Sequence, residues 1–187
     1  MSHDKQREYC QKIKEKYPNY FKNIKVLDIG SLDINGSNRY MFDDCDYLGI
    51  DVGNGPNVDF VCIGHKFEGP NEYYDTIITT EALEHDMYYE DTIKNAIRML
   101  KPGGLLLFTC ATTGRHEHGT RRTTPQDAPL LYGEWGDYYK NLTEDDVIKI
   151  DGFNRIFPDG IFEIGNENFD LYFSGIKNGS DYLKYIL

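Results

Sequence analysis

Two glycines and two aspartates near the start of the chain have the spacing of a nucleotide-binding turn. Asp28 lies in an apolar run that ends at Gly30, Gly36 follows six residues later, and Asp51 closes the next apolar run 21 residues after Gly30. Glycine lets the backbone approach a ligand closely, and an acid about 20 residues downstream can accept hydrogen bonds from ribose hydroxyls. The spacing therefore predicts a site for an adenosine-containing cofactor. Because Leu32 stands where a second close glycine is usual, the glycines alone also fit an ordinary strand–turn–helix.

Three histidines are the candidates for acid–base catalysis: His85, His116 and His118. A hydroxyl that accepts a transferred group must lose its proton, and a positioned base accelerates such a step by roughly 10²–10⁴. His116 and His118 share one face if their segment is extended, so they fit a base and its partner, or two metal ligands with Glu117 or Asp137. Spacing fixes no third ligand, and we therefore expect no metal. A polar surface loop, with His85 holding a turn, fits the same residues.

Basic and aromatic side chains crowd the stretch that contains two of these histidines. Arginines bind phosphates or carboxylates by forked hydrogen bonds, and aromatic rings stack on sugars or aromatic acceptors. Exposed charge and packing of the stretch onto the body of the protein are the alternative interpretations. The candidate substrate-binding residues are Arg115, Arg121, Arg122, Tyr138 and Tyr139, with Trp135 beside them.

The apolar pattern predicts the elements that must position these residues. Tyr9, Ile13 and Tyr17 recur at helical spacing, so an N-terminal unit of residues 1–24 should hold a helix that ends near Pro18. Five apolar runs then alternate with connecting segments, which is typical of a mostly parallel sheet with helices on both faces. The predicted strands are Lys25–Ile29, Tyr47–Ile50, Val58–Ile63, Asp75–Thr80 and Leu105–Cys110.

The alternation stops after the fifth strand. A helix with an apolar stripe through residues 93–100 should end at Lys101–Gly104, because proline and glycine cannot continue it. Residues 111–160 lack the pattern and are expected to form an acceptor-binding insert. Two strands, Ile161–Ile164 and Leu171–Ile176, close the chain as an antiparallel hairpin because their connection is short.

Length and composition exclude several classes of protein. The 187 residues fit a single domain, residues 1–187, and the net charge of −11 disfavours nucleic acid as a partner. No apolar run approaches the roughly 18 residues of a membrane span, and the charged start is unlike a secretory signal. The cysteines are scattered, and Cys62 and Cys110 lie in apolar runs. We expect buried free thiols and a cytoplasmic location.

Four segments resemble motifs of the class I S-adenosylmethionine-dependent methyltransferases and follow the family's order. Residues 26–37 (VLDIGSLDINGS) resemble the first motif in a variant with Asp, Gly and Ser. Residues 74–78 (YDTII), 81–85 (EALEH) and 99–104 (MLKPGG) are similar to the fourth strand, the segment after it and the approach to the fifth strand. The resemblance covers residues 26–110, and the closing hairpin matches the family's last two strands.

The resemblance implies a Rossmann-like sheet of seven strands in the order 3-2-1-4-5-7-6, with S-adenosylmethionine as the cofactor. It places the turn from Gly30 to Gly36 around the methionine and ribose, and Ile63 along the adenine. Two departures are Leu32 in the turn and, at Gly64, the absence of the acid that often contacts adenine. The residues assigned to the cofactor are Asp28, Gly30, Ser31, Leu32, Gly36, Asp51, Val52, Ile63, Gly64, Glu81 and Ala82.

These patterns predict methyl transfer to a small-molecule acceptor. Residues 138–146 resemble segments of methyltransferases from glycan and secondary-metabolite gene clusters, so the expected acceptor is a sugar or nucleotide-sugar hydroxyl or amine. One alternative is a non-catalytic methyltransferase-like subunit that binds or activates a partner. Another is an NAD-dependent oxidoreductase, although no tyrosine has the lysine four residues later that a short-chain enzyme requires.

Overall fold

A computed structural model describes residues 3–179 of the protein, so both ends of the predicted domain lie outside the described residues. Within this range a seven-stranded sheet forms the centre. Its strands are β1 (Lys25–Ile29), β2 (Asp46–Asp51), β3 (Phe60–Val61), β4 (Tyr74–Thr80), β5 (Leu100–Ala111), β6 (Ile161–Gly165) and β7 (Asp170–Ile176). Their order is β3-β2-β1-β4-β5-β7-β6.

The directions of the strands confirm the predicted fold class. Strands β1 to β5 pair in parallel, whereas β7 is antiparallel to both β5 and β6. The register sets Asp28 beside Gly49 of β2 and Ile78 of β4. The carboxyl ends of β1, β2 and β4 therefore meet at one edge of the sheet, which is where ligands bind in open α/β folds.

Two strands, β3 and β5, differ from the prediction by more than one residue at an end. The apolar run Val58–Ile63 predicts a longer third strand, but only Phe60 and Val61 pair with β2. Both side chains are exposed, because this strand lies at the edge of the sheet and has one neighbour. The predicted stop at Lys101–Gly104 lies inside β5, as a bulge between the pairs Tyr74–Leu100 and Thr76–Leu105. The helix nevertheless ends where expected, just before this bulge.

Helices cover both faces of the sheet, as predicted. They are α1 (Asp4–Lys16), α2 (Tyr89–Met99), α3 (Glu144–Ile148) and α4 (Phe153–Ile156). Helix α1 packs on one face through Tyr9, Cys10 and Ile13, and it ends before Pro18 as its pattern predicts. Helices α2, α3 and α4 pack on the other face. The connection from β1 to β2 carries only a 3₁₀ turn at Asn38–Met41, so the space above the end of β1 is not filled by a long helix.

Local sequence explains why the helices form where they do. The apolar stripe Ile93, Ala96 and Ile97 is buried, and burial stabilises each large apolar side chain by about 1.5–3 kcal/mol. At α3, the Thr143 side chain accepts a hydrogen bond from the Asp146 amide, and the Asp146 side chain accepts one from the Thr143 amide. This capping box satisfies two amides that a helix start leaves free.

The structure of the described residues also bears on the predictions about membrane spans and buried cysteines. None of the helices within residues 3–179 has both the length and the apolarity to cross a bilayer. Cys110 is buried as predicted, but Cys62 is only half-buried. The prediction for Cys62 is wrong because this residue follows the short edge strand β3, where the sheet covers one side only.

Candidate active site

A pocket opens where the carboxyl ends of β1, β2 and β4 meet. All eleven residues that the sequence patterns assign to a cofactor line it. Their individual roles remain predictions, but their types and positions converge on a single cavity. Lining residues that the patterns did not indicate include Asn35, Asn38, Cys62, Thr79, Thr80 and Asp86.

The turn after β1 requires glycine at its first position. Gly30 has a φ of +79°, and a Cβ there would lie 2.4 Å from the Cβ of Ala82. Larger residues rarely adopt this left-handed backbone. The amides of Gly30 and Ser31 both donate to the Ile50 carbonyl, at 2.9 and 3.1 Å. The turn is therefore fixed between β2 and the segment after β4, with its backbone along the pocket.

Asp51 is oriented by two backbone amides. Its Oδ2 accepts from the Leu32 amide at 3.0 Å, and its Oδ1 accepts from the Val52 amide at 2.7 Å. Burial raises the pKa of Asp51, and these two hydrogen bonds oppose the rise. Any residue except proline would supply the amide at position 32. The leucine side chain is accommodated because it packs against Gly55, where a Cβ would lie 2.3 Å from its Cδ1.

Asp28 is a fully buried acid with a free acceptor beside the pocket. Its Oδ2 accepts from the Tyr47 hydroxyl, whereas its Oδ1 has no hydrogen-bond partner among the described residues. Burial raises the pKa of Asp28 to about 7. A buried acceptor without a partner is costly, so a ligand that brings a cationic N–H group to this oxygen would be bound favourably.

Glu81 connects the pocket with the N-terminal segment. It follows β4 with a φ of +53°, and its Oε1 accepts from the Thr109 hydroxyl at 2.8 Å. The Nε2 atom of His3 lies 3.5 Å from Glu81 Oε2 and 2.9 Å from Asp170 Oδ2. Burial would lower the pKa of His3, but these carboxylates raise it to about 9. The sequence patterns did not indicate His3, because no local spacing links it to β4.

The structure brings together two of the three candidate catalytic histidines. His85 lines the pocket, and burial lowers its pKa to about 3. His118 packs on it, with 5.1 Å between ring centroids. His116 is exposed and does not line the pocket, and its role as a partner of His118 stays a prediction. Its carbonyl, and not its ring, contacts His118.

The two acids proposed beside those histidines have other partners. Glu117 accepts from the Thr120 hydroxyl and pairs with Arg122. Asp137 pairs with Arg121. Neither acid belongs to a group of potential metal ligands in the described part of the chain, so the metal set considered from the sequence does not form.

A long segment between β5 and α3, which we call the cover loop (residues 112–142), forms the outer wall of the pocket. Asp127–Leu131 and Trp135 line the pocket, and Leu130 packs against Gly53 on the opposite side. The Trp135 ring lies 5.8 Å from that of Tyr88. Of these residues, only Trp135 was indicated by the sequence.

The five residues predicted to bind substrate do not line the pocket. Arg121 and Arg122 form exposed ion pairs, and Arg115 donates to the Asn168 carbonyl at 2.6 Å. Tyr139 packs on the rings of His85 and His118, and Tyr138 is half-buried. These side chains hold the cover loop together and to the body of the protein. Sequence could not separate this role from binding, because both use exposed arginines and aromatic rings.

The sheet order, the glycine turn and the acid after β2 define a class I S-adenosylmethionine-dependent methyltransferase. In agreement, the family model described as "Methyltransferase domain" matches residues 1–143. The chain therefore belongs to this methyltransferase family. No curated protein shows significant sequence similarity to it.

Solved structures share the fold at low sequence identity. The CurJ carbon methyltransferase has 18% identity and a TM-score of 0.61, over 90% of this chain and 52% of that one. Phosphoethanolamine N-methyltransferase 2 of Haemonchus contortus, bound to phosphomonomethylethanolamine and S-adenosylhomocysteine, has 15% identity and a TM-score of 0.63, over 92% and 52%. The N-methyltransferase NodS of Bradyrhizobium japonicum has 17% identity and a TM-score of 0.57, over 93% and 96%. The chain thus spans about half the length of the first two structures.

Proposed function

We propose that the protein transfers the methyl group of S-adenosylmethionine to a small molecule, with a sugar or nucleotide-sugar hydroxyl or amine as the acceptor class. The observation that carries this proposal is the single pocket lined by all eleven residues assigned to the cofactor. A family with this fold binds that cofactor, and the pocket offers the polar groups that its adenosyl and methionine parts need.

The residues present fit S-adenosylmethionine. Asp51, oriented by two amides, would accept hydrogen bonds from the ribose hydroxyls. The backbone at Gly30 would lie along the methionine part, and the free Oδ1 of Asp28 would face its ammonium group. Ile63 and Gly64 would border the adenine. When bound, the cofactor supplies a methyl group on a sulfonium, and the protein supplies binding and orientation.

The acceptor would occupy the part of the pocket between His85 and Asp127–Leu131 of the cover loop. Orientation of two reactants can contribute about 7–11 kcal/mol to lowering a barrier, and the wall formed by Asp127–Leu131 can provide it. Trp135 and the adjacent Tyr88 offer an aromatic surface on which a sugar ring can stack. The similar structures include a carbon and two nitrogen methyltransferases, so the acceptor must be argued from the site and not from the fold.

The proposal includes a cytoplasmic location. All four cysteines are free thiols, which supports a reducing compartment.

Ligand titration tests the cofactor. Thermal-shift and calorimetric titrations with S-adenosylmethionine, S-adenosylhomocysteine and NAD should show stabilisation by the first two and none by NAD, because ligands stabilise the state that binds them. Stabilisation by NAD alone would overturn the proposal. Radiolabelled methyl transfer to a panel of sugars and nucleotide sugars then tests the acceptor class. Cofactor binding without transfer to any member, or to a cell extract, would support a non-catalytic subunit instead.

A further inference from the structure

A buried carboxylate without a hydrogen-bond partner lies behind the pocket wall. Glu84 has 0% exposed surface, and neither of its carboxylate oxygens has a hydrogen-bond partner among the described residues. Removal of an isolated carboxylate from water costs far more than the removal of a neutral group. Buried carboxyl groups in proteins are therefore normally paired, bound to a metal or protonated, and the described side chains offer Glu84 no hydrogen-bond partner.

The ring of His118 faces Glu84 with a lone pair. The Nε2 atom of His118 lies 3.9 Å from Glu84 Oε1, and its Nδ1 lies 3.1 Å from the His116 carbonyl oxygen. A carbonyl can only accept, so Nδ1 carries the proton, and in the neutral ring Nε2 is an acceptor. When Glu84 is ionised, two acceptors therefore face each other across a gap that is too long for a hydrogen bond. The hydrogen bond from Nδ1 to the His116 carbonyl is of the kind that orients a histidine whose other ring nitrogen binds a metal.

His85 brings a third donor to the same place. The residue is 6% exposed, and neither ring nitrogen has a hydrogen-bond partner in the described part of the chain. One ligand atom from each of Glu84, His85 and His118 lies within 4.8 Å of the others. Metal bonds of about 2.0–2.2 Å set neighbouring donors roughly 3–3.5 Å apart, so a small inward movement of the side chains would complete the set.

We propose that Glu84, His85 and His118 bind a divalent first-row transition-metal ion such as Zn²⁺. Two imidazoles and one carboxylate suit zinc and iron rather than magnesium or calcium, and three protein ligands leave a position for a further ligand. His85 forms part of the pocket wall, so the ion would lie at the boundary between the pocket and the cover loop. The sequence did not suggest this set, because its members come from two segments that only the fold brings together.

The position of the ion gives it a role that rests on the proposed function. A hydroxyl oxygen of the acceptor would bind at the free position and release its proton to solvent more readily. Its lone pair would then form the O–CH₃ bond while the S–CH₃ bond breaks and that electron pair stays on sulfur. The site therefore favours an oxygen acceptor over an amine.

Zinc uptake by the metal-free full-length protein tests the site without any methyl transfer. After removal of metals with a chelator, calorimetry with Zn²⁺ should show one equivalent bound per chain. The variants E84Q and H118Q should weaken binding by more than the roughly 10–100-fold that loss of an outer-shell partner causes. The matched control is H116Q, which changes an exposed histidine of the same loop and should retain the full affinity. A Co²⁺-loaded sample should lack the absorption of cobalt–thiolate bonds, which excludes a site built on the free cysteines.

Two outcomes would overturn the inference: no uptake of Zn²⁺ by the wild-type protein, or equal uptake by wild type, E84Q and H118Q. If the buried E84Q variant does not fold, H118Q alone decides, because its side chain is partly exposed. Titration of the metal-free protein with S-adenosylmethionine separates this result from the proposed function. Cofactor binding without zinc binding would disprove only the metal site. Zinc binding without cofactor binding would disprove only the proposed function.

Discussion

Asp51 is the side chain that most directly tests the cofactor pocket. Its carboxylate is held by the amides of Leu32 and Val52 and faces the position expected for a ribose. We predict that D51A weakens S-adenosylmethionine binding by about 1–3 kcal/mol, or roughly 5–150-fold, through lost hydrogen bonds. Calorimetry measures the change, and D159A, which removes an exposed acid, is the control. Equal affinity of D51A and wild type would show that the ribose lies elsewhere.

Asp28 should make folding stability depend on pH. Burial raises its pKa to about 7, and the charge of Asp51 adds to the rise, while Tyr47 and Arg39 oppose it. In the unfolded chain an aspartate ionises near pH 4, so the folded state favours neutral Asp28. The stability that neutral Asp28 contributes is therefore lost as pH rises from about 4 to 7. We predict that D28N becomes progressively more stable relative to wild type over this range, by up to about 1.4 kcal/mol per pH unit. Urea unfolding at pH 5, 6, 7 and 8 measures this, and a constant difference would contradict it.

At the scale of single residues, sequence predicts well which residues after β1, β2 and β4 line the pocket, and poorly which residues of the cover loop do. Gly30 and Asp51 follow apolar runs, and the ends of parallel strands converge by the geometry of the sheet. Glu84 was visible next to His85 in the segment 81–85, but its lack of a partner depends on burial, which local sequence does not show. His3 is brought to Glu81 only by the docking of α1.

At the scale of structural elements, the conformation of the cover loop depends on Gly119, which lies against His85. Gly119 has a φ of +69°, and a Cβ there would lie 2.6 Å from Cε1 of His85. Gly133, in the same loop, has a φ of +58° with nothing within 4 Å of its Cβ position. Both glycines relieve the strain of left-handed backbone, about 1–2 kcal/mol for other residues, but only Gly119 also avoids a clash.

We predict that G119A lowers the free energy of unfolding more than G133A does, because G133A carries the backbone strain alone. Chemical denaturation of the two variants measures the difference. G119A should also reduce methyl transfer, since the displaced loop would move His85 and the wall at Asp127–Leu131. Equal losses of stability would show that the loop can move away from His85 at Gly119 without a further cost in stability.

The same loop marks the limit of prediction for elements. The strands and α2 follow from runs and stripes of apolar residues, which are local signals. Residues 112–142 have no such period, and their position is set by contacts such as Leu130 on Gly53. The third strand was predicted too long, because its length is decided by the single neighbour β2.

For the whole molecule, His3 joins the N-terminal helix to the end of the sheet. Its Nε2 atom contacts the buried acids Glu81 and Asp170, and these contacts tie the start of α1 to the sheet. Its pKa of about 9 exceeds the value near 6.5 of an unfolded chain, so its stabilisation is complete below about pH 6.5 and is lost as pH rises through 9.

We predict that H3A lowers the free energy of unfolding by about 1–3 kcal/mol at pH 6. The loss should become progressively smaller as the pH is raised to 9.5. Denaturation at several pH values measures this, with H116A as the control because that histidine is exposed. A loss that does not change with pH would mean that the charge of His3 is not what secures α1.

The position of Trp135 provides a built-in spectroscopic probe. It is the only tryptophan in the chain, and it lies in the cover loop with its side chain at the pocket. Indole emission responds to the polarity around the ring, so stopped-flow fluorescence of the unlabelled protein would report when a ligand arrives and whether the segment around the ring moves with it. Rates of arrival and of rearrangement could thus be separated without attaching a dye.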